Sequence, residues 1–319
     1  MPSVIWLKIR MYLIVALFFA IVYAFVSAIS YLLGITNFLF YGILAIAIIG
    51  LQYLAGPKII ELTMQVKYVD EKQEPELHKI VERLAKKAGI PKPKIGISAL
   101  KIPNAFAFGR WKSDGRVCVT EGILNLLDKK ELEAVLGHEI SHLKHRDVAI
   151  ITLLSLVPML AWYVAQSMIW ARDRKGNTVL VGVLAFLIYF ITNLLVLYIS
   201  RIREYYADFG SVELGNAPHS LASALFKLVK SSAKLPKPIL KQAEGAKAFF
   251  LNDVSKAHDE IVELSQLDVD KSGVLEPEEL AILREKTVKL STLDKLLELM
   301  STHPNMLKRI KVLSELEQK

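Results

Sequence analysis

The sequence predicts a mainly α-helical membrane protein that also contains a small antiparallel β-sheet. Two observations lead to this fold class. Of the 319 residues, 53% are hydrophobic, and the mean hydropathy of +0.36 exceeds that of an ordinary soluble protein. Several long stretches also lack any charged residue. A chain of this length can form membrane helices and, in addition, a folded domain.

The formal net charge of +8 indicates that the protein can bind a negatively charged partner. Its basic residues are interspersed with acidic ones and no base-reading module is present, so an anionic lipid surface is a better partner than nucleic acid. Cys118 is the only cysteine and lies in an apolar strand-like segment, where we expect it to be buried. An intramolecular disulfide is impossible, and any metal site must use histidines and carboxylates.

The first uncharged stretch runs from residue 11 to residue 57 and is far longer than the ~20 residues that one crossing needs. We predict two transmembrane helices, near 11–33 and 38–56, in a membrane anchor comprising residues 1–57. Basic residues before the first helix and lysines after the second favour a cytoplasmic position for both flanks.

Two further uncharged stretches, 148–171 and 176–200, predict a transmembrane hairpin over 148–200. The connector between them is basic and would lie outside the cell, against the usual charge bias, so incomplete crossing remains an alternative. The hairpin divides a folded domain into a first half, 58–147, and a second half, 201–319.

Three short β-like segments precede the hairpin, at Lys94–Ser98, Ala105–Phe108 and Arg116–Thr120, and they predict the antiparallel sheet. The second segment alternates small and aromatic residues and has two interpretations. It could be ordinary core packing, or an edge strand to which an extended polypeptide substrate adds through backbone hydrogen bonds. The candidate substrate strand comprises Asn104, Ala105, Phe106 and Ala107.

One motif carries a specific chemistry: His138 and His142 lie four residues apart, and Glu139 directly follows the first. On a helix the two histidines share a face and can bind one zinc ion. The carboxylate beside them can take a proton from the attacking water. A capping box at Asp128 and Glu131 predicts where this helix begins. The motif therefore predicts one zinc ion per chain.

A catalytic zinc ion needs a third protein ligand, and Glu204 is well placed for it immediately after the hairpin. Asp208, one helical turn later, would accept the free ring proton of a ligating histidine. The alternative is a juxtamembrane charged cluster at the membrane surface. Two crossings between the halves of the motif return the chain to the side it left, which favours the ligand interpretation.

Taken together, the motifs of the chain resemble those of the HtpX-type membrane zinc metallopeptidases, which are related to the CAAX prenyl proteases. The segments that carry the resemblance are 103–107, 119–122, 138–142, 203–208 and 301–304. The resemblance implies a zincin-like (gluzincin) metalloprotease domain in the cell membrane, with its catalytic site facing the cytoplasm. It also implies that His138, His142 and Glu204 bind zinc, that Glu139 is catalytic, and that the enzyme degrades misfolded or damaged membrane proteins in stress-related quality control.

Near the carboxy terminus, His303 is followed by proline and, six residues on, by Arg309, which matches the signature of that family. His303 could stabilise the developing oxyanion or support the zinc ligands from outside. The alternative is a histidine that simply precedes a helix.

The segment 257–284 departs from the family pattern because it resembles an EF-hand, with a calcium loop at 268–279. The oxygen ligands of that loop would be Asp268, Asp270, Ser272, Val274, Glu276 and Glu279. The alternative is an acidic helix–turn–helix that binds no calcium tightly.

The sequence therefore predicts a membrane-bound zinc endopeptidase that acts on polypeptides and lies in a lipid bilayer. A CAAX-type prenyl peptidase is the rival enzyme, although four predicted membrane helices are few for an enclosing barrel. A non-catalytic membrane scaffold that binds calcium is the rival from another class. The zinc content of the purified protein separates the two classes.

Overall fold

The computed structural model describes residues 38–170, 177–236, 264–285 and 298–317, and the single positions 13, 16, 17, 20, 251, 260 and 261. Apart from its four single positions, the predicted helix 11–33 lies outside these residues. So do the basic connector between the hairpin helices and the start of the EF-hand-like segment at 257–259.

The helices of the described residues are α1 (Phe38–Thr63), α2 (Pro75–Ala88), α3 (Glu121–Leu126), α4 (Lys129–His145), α5 (Asp147–Trp170), α6 (Asn177–Glu213), α7 (Pro218–Ser232), α8 (Pro277–Glu285) and α9 (Met306–Leu316). The strands are β1 (Val66–Tyr68), β2 (Lys94–Ser98), β3 (Ala105–Phe108) and β4 (Arg116–Thr120), and a short 3₁₀ turn lies at Lys112–Asp114. The predicted mainly α-helical membrane protein with a small sheet is confirmed.

The chain forms two compact units. One contains Gly56–Val148 and Arg203–Lys319, and the other contains Pro2–Ala55 and Ala149–Ile202. In the described part of the second unit, two helices are long and apolar enough to span a membrane, with spans that begin at Ala149 and Val179. Leu153, Tyr163 and Val183 on these helices are more than half exposed, as expected of side chains that face lipid.

The sheet of the first unit has the strand order β1-β2-β4-β3. β1 pairs antiparallel with β2 and β3 pairs antiparallel with β4, but β2 and β4 are parallel. The predicted purely antiparallel sheet is therefore wrong, and the sheet is mixed. The physical reason is that β3 runs opposite to β2 without pairing with it. β4 turns back from β3 into the space between them, so it runs in the same direction as β2.

The two faces of the sheet pack against different helices. Leu77, Val81 and Leu84 form a buried stripe on α2 at helical spacing, and they join the core that also contains α4, α7 and α9. On the opposite face, Phe106, Phe108 and Cys118 contact the end of α1 through Ile60 and Met64. Cys118 is buried and unbridged, and burial raises the pKa of its thiol.

β3 lies at one edge of the sheet, and its side chains are core residues. Ala105 and Ala107 face the α4 side, whereas Phe106 and Phe108 face the α1 side, and all four are buried. The alternation of small and aromatic side chains is thus explained by packing. The backbone of the strand is a separate matter, because an edge strand has a row of donors and acceptors that the sheet itself does not use.

Candidate metal centre

The helix that carries the histidine motif begins at a complete capping box. Asp128 accepts hydrogen bonds from the backbone N–H groups of Lys130 and Glu131, and the Glu131 carboxylate accepts one from the N–H of Asp128. The predicted start of α4 is therefore confirmed. The helix ends at Arg146, whose φ of 57° lies in the left-handed region, and the chain then enters α5 at Asp147.

Two glycines allow α4 and the last turns of α6 to approach closely. A Cβ atom added at Gly137 would lie 2.2 Å from Asn216 Nδ2, and one added at Gly210 would lie 2.0 Å from Ser141 Oγ. Both distances are far too short for real contacts, so only glycine fits at these positions. This close approach brings the face of α4 that carries the histidines next to the face of α6 that carries Glu204.

The structure brings His138, His142 and Glu204 together, with one candidate ligand atom from each residue within 4.8 Å of the others. The Nε2 atoms of the histidines are 3.0 Å apart. Each Nε2 lies 3.6 Å from an oxygen of Glu204. In a tetrahedral zinc site with bonds of ~2.0–2.1 Å, two ligand atoms are separated by about 3.3 Å. The donor set and its spacing therefore fit zinc.

A carboxylate lies beside the other ring nitrogen of each histidine. His138 Nδ1 is 2.9 Å from Asp208 Oδ1, and His142 Nδ1 is 2.7 Å from Asp147 Oδ2. A carboxylate at Nδ1 favours the tautomer with the proton there, which leaves the Nε2 lone pair for a metal. Sequence reasoning found Asp208 but missed Asp147, which also contacts Arg203. The sequence feature that could have indicated Asp147 is its position two residues after the end of the helix that carries the histidine motif.

Arg309 on α9 is fully buried and joins the carboxylates of the site. It donates from Nη2 and Nε to the two oxygens of Asp208, at 2.7 and 2.9 Å, and its Nη1 lies 3.0 Å from Glu204 Oε2. Nη1 also donates to the carbonyl oxygen of Leu251. Burial lowers the pKa of this guanidinium, but Asp208 and Glu204 raise it further and prevail. Arg309 therefore remains charged and fixes both carboxylates.

His303 approaches the same carboxylate from the segment before α9. Its Nδ1 lies 3.3 Å from Glu204 Oε2, and the ring is buried. Its Nε2 has no hydrogen-bond partner among the described residues. Nδ1 thus lies beside the candidate ligand Glu204, as expected of a residue that supports the zinc ligands. Nε2 is left for another group, as expected of a residue that contacts the oxyanion.

Glu139 is buried on α4 and accepts a hydrogen bond from the backbone of Ala107 on β3. Burial raises the pKa of its carboxyl, and the two histidines and the Ala107 N–H oppose this only in part. A carboxyl with a raised pKa is a better proton acceptor near neutral pH than an exposed one. The hydrogen bond also places the edge strand directly beside this carboxylate.

In the EF-hand-like loop, the structure groups one candidate ligand atom each from Asp268, Asp270 and Glu279 within 4.8 Å. Gly273 has the positive φ of 82° that such a loop needs at this position. The oxygens already have protein partners: Asp268 accepts from the Gly273 N–H, and Glu279 accepts from Val269 and Glu276. Among the described residues, the predicted ligand Glu276 is not part of the carboxylate group. Predicted ligands Ser272 and Val274 are joined by a hydrogen bond of 3.2 Å.

Comparison with known proteins defines the class. The model of peptidase family M48 matches residues 71–317, and the chain belongs to this family of metalloproteases. A protease HtpX homolog of Methanothermobacter thermautotrophicus is 56% identical over 223 residues, which cover 70% of this chain and 86% of the relative. One of Thermoplasma volcanium is 32% identical over 295 residues, covering 90% and 87%. The chain is thus an HtpX-type member of the family, as the sequence motifs predict.

A solved structure supports the fold. The crystal structure of S. mikatae Ste24p aligns with a TM-score of 0.50 at 18% identity, and the alignment covers 95% of this chain. The chain spans 64% of the length of that structure. At this identity the comparison shows a common fold and nothing about substrates.

Proposed function

We propose that this protein is a zinc-dependent endopeptidase in which His138, His142 and Glu204 hold the metal. The observation that carries the proposal is the geometry of these three side chains. Their ligand atoms are grouped within 4.8 Å, and the Nδ1 atoms of the two imidazoles lie 2.9 and 2.7 Å from carboxylate oxygens. Structural zinc sites use four protein ligands, whereas three ligands are typical of catalytic sites.

When bound, zinc supplies a Lewis acid that polarises the scissile carbonyl and acidifies water. Glu139 takes the proton from the attacking water and passes it to the leaving nitrogen, so that one carboxylate acts first as base and then as acid. In its imidazolium form, with a proton on each ring nitrogen, His303 directs Nδ1 to Glu204 and donates from Nε2 to the oxyanion that develops on the carbonyl oxygen. Arg309 and Asp208 do not touch the substrate but position Glu204 and His138.

Substrate binds along the free edge of β3. The N–H of Thr120 donates to the carbonyl of Asn104, so residues 104, 106 and 108 bond to β4 and residues 105 and 107 direct their backbone groups away from it. The hydrogen bond from the Ala107 N–H to Glu139 is consistent with this direction. An extended peptide added at this edge would place its backbone beside the catalytic carboxylate.

The substrates of the proposed enzyme are misfolded or damaged membrane proteins, cleaved on the cytoplasmic side of a multi-pass protein. Apolar helices flank the metal centre in the chain, and their side chains are exposed where lipid would lie. The basic residues around the first predicted helix favour cytoplasmic flanks. The names of the HtpX relatives agree with a protease of this kind.

Removal and return of the metal test the proposal. The purified protein, stripped by a chelator, should lose cleavage of an unfolded soluble protein and regain it on addition of about one zinc ion per chain. Zinc should also raise Tm, because a ligand that binds only the folded state stabilises it. A chelated protein with undiminished cleavage contradicts the proposal. Cleavage confined to prenylated peptides would favour the CAAX-type rival, and a zinc-free protein that binds calcium would favour the scaffold.

A proline in β3 tests the substrate strand. Ala105→Pro removes an N–H that points to the free edge, and it should reduce cleavage while zinc affinity stays within about twofold, since the ladder to β4 is retained. Ala105→Gly, which keeps the N–H, is the matched control. Ala107→Pro should have a larger effect because it also removes the hydrogen bond to Glu139. Equal cleavage by Ala105→Pro and Ala105→Gly would show that the strand is only structural.

Calcium binding by residues 268–279 stays a prediction, and its test belongs on the whole protein. Lys230 Nζ lies 3.4 Å from Asp268 Oδ2, so a calcium ion bound at this oxygen would compete with the ammonium group. Calorimetry with millimolar calcium should give heat in the wild type and none in the Asp268→Ala/Glu279→Ala variant. Identical traces for the two proteins would identify the loop as a structural turn.

A further inference from the structure

The turn between β3 and β4, residues 109–115, exposes a large aromatic side chain. Trp111 is 49% exposed, and the Arg110 guanidinium lies over its ring, 4.8 Å from the centroid. Lys112 follows directly. Tryptophan beside basic side chains is typical of segments at a membrane interface, where the ring lies among lipid headgroups and the cations face phosphates.

Ion pairs hold this turn against the end of α1. Asp114 Oδ2 accepts from Arg110 Nε at 2.6 Å and lies 3.0 Å from Arg116 Nη1. Arg116 Nε in turn lies 3.2 Å from Glu61 Oε1 on α1. Burial raises the pKa of Asp114, but the two arginines outweigh it and lower this pKa to about 2. The turn is therefore fixed to α1 by charges that persist at any physiological pH.

The other face of α1 at the level of Glu61 is apolar and exposed. Ile59 and Leu62 lie three residues apart on one face, and they are 57% and 69% exposed. They closely follow the uncharged predicted membrane helix 38–56, after Pro57 and the exposed Lys58. Two adjacent aliphatic side chains this exposed indicate that the apolar surroundings of α1 extend to the level at which the turn is held.

A second contact places the same turn near another membrane entry point. A Cβ atom at Gly115 would lie 3.2 Å from Leu143 Cδ1, and Leu143 precedes the start of α5 at Asp147 by four residues. The turn thus lies beside the carboxy-terminal end of one long apolar helix, α1, and near the residues that lead into another, α5. This continuity with the membrane helices, together with its positive charge, selects the bilayer over a soluble protein as the partner.

We propose that residues 109–115 form an interfacial anchor in which Trp111 enters the headgroup region of an anionic phospholipid bilayer and Arg110 and Lys112 face the lipid phosphates. The inference rests on the membrane location of the proposed function. Its consequence concerns specificity. β3 ends at Phe108, immediately before the anchor, so the anchor fixes the distance between the substrate edge and the bilayer surface. Peptide bonds at that distance are then cleaved in preference to bonds farther from the membrane.

A nitroxide label reports the depth of the anchor without any need for activity. Trp111→Cys can be labelled in the otherwise unaltered chain, because Cys118 is buried and its thiol pKa is raised. Lys130→Cys is the control, since Lys130 is exposed in the first turn of α4, about 20 Å along that helix from Leu143. In nanodiscs of phosphatidylcholine with phosphatidylglycerol, the label at 111 should collide more with oxygen and less with a nickel chelate than the label at 130.

Two outcomes of this measurement overturn the proposal. Equal nickel accessibility at positions 111 and 130 would place the turn in water. Low accessibility to both oxygen and nickel would show that the label is covered by protein.

Cleavage measurements test the consequence for specificity. Trp111→Ser should reduce cleavage of an unfolded segment tethered close to a membrane helix and leave cleavage of a soluble unfolded protein unchanged. Ile282→Ser, which removes another half-exposed apolar side chain on α8, should change neither. Equal losses on both substrates for Trp111→Ser would overturn the positioning role. If the wild type cleaves neither substrate, the proposed peptidase fails, while the label depth still decides the anchor.

Discussion

Glu139→Gln is expected to keep zinc and to lose proteolysis by a factor of about 10²–10⁴, the usual effect of removing a general base. The side chain is not among the three grouped ligand residues, so the metal should remain. Glutamine has the same shape and can still accept the hydrogen bond from Ala107, which keeps β3 in place. The measurement is turnover of an unfolded soluble protein by samples whose zinc content is shown to be equal.

The matched control for this variant is Glu133→Gln, the same change on the same helix. Glu133 forms a partly exposed ion pair with Arg83 and is not part of the metal centre, so its replacement should leave turnover unchanged. Wild-type turnover by zinc-loaded Glu139→Gln would mean that another group moves the proton.

Glu204→Ala has the second large expected effect, the loss of both zinc and activity. Two histidines alone are an incomplete ligand set for a catalytic zinc ion. The change also removes one of the two carboxylates that face the buried guanidinium of Arg309. Loss of one partner of a buried ion pair is strongly destabilising, by about 3–5 kcal/mol when the remaining charge is left uncompensated. Asp208 remains beside Arg309, so we expect a smaller decrease in Tm than that.

Zinc titration separates the lost ligand from simple unfolding. Added zinc should raise the Tm of the wild type and leave that of Glu204→Ala unchanged. Glu213→Ala, near the end of the same helix, is the control. Glu213 is exposed, and its ion pair with Lys144 is weak because the charged atoms are 4.0 Å apart. Full zinc occupancy in Glu204→Ala at wild-type affinity would place the third ligand elsewhere.

The local features of the metal centre could be predicted from sequence because they depend on helical spacing. His138 and His142, like Glu204 and Asp208, lie one turn apart, and the capping box at Asp128 specifies where α4 starts. Such relations need no knowledge of the rest of the fold. The uncharged hairpin between them also predicts that both halves return to one side of the membrane. For these reasons the four residues could be named together before their distances were known.

Other features escaped prediction because helical spacing does not contain them. Asp147 is a local case: it contacts His142 across the left-handed residue Arg146 between α4 and α5. The remaining cases depend on distant parts of the chain. β2 pairs in parallel with β4, a strand that comes later in the chain and lies between β2 and β3. The contact of Arg309 with Asp208 joins residues about a hundred positions apart. No periodicity in the sequence contains such information, although Arg309 itself could be singled out by family resemblance.

The continuity of α6 has a consequence for how the enzyme matures. This one helix of 37 residues begins in an apolar segment, and its last turns contain Glu204, Asp208 and Gly210. The ribosome completes the motif of α4 long before it completes α6, so a nascent chain has the histidines and Glu139 but no third ligand. In the proposed membrane setting, Glu204 reaches them only after both hairpin helices have inserted. Under the proposed ligand set, a chain that has not yet formed α6 lacks Glu204, so zinc binding and proteolysis can begin only once this helix is complete.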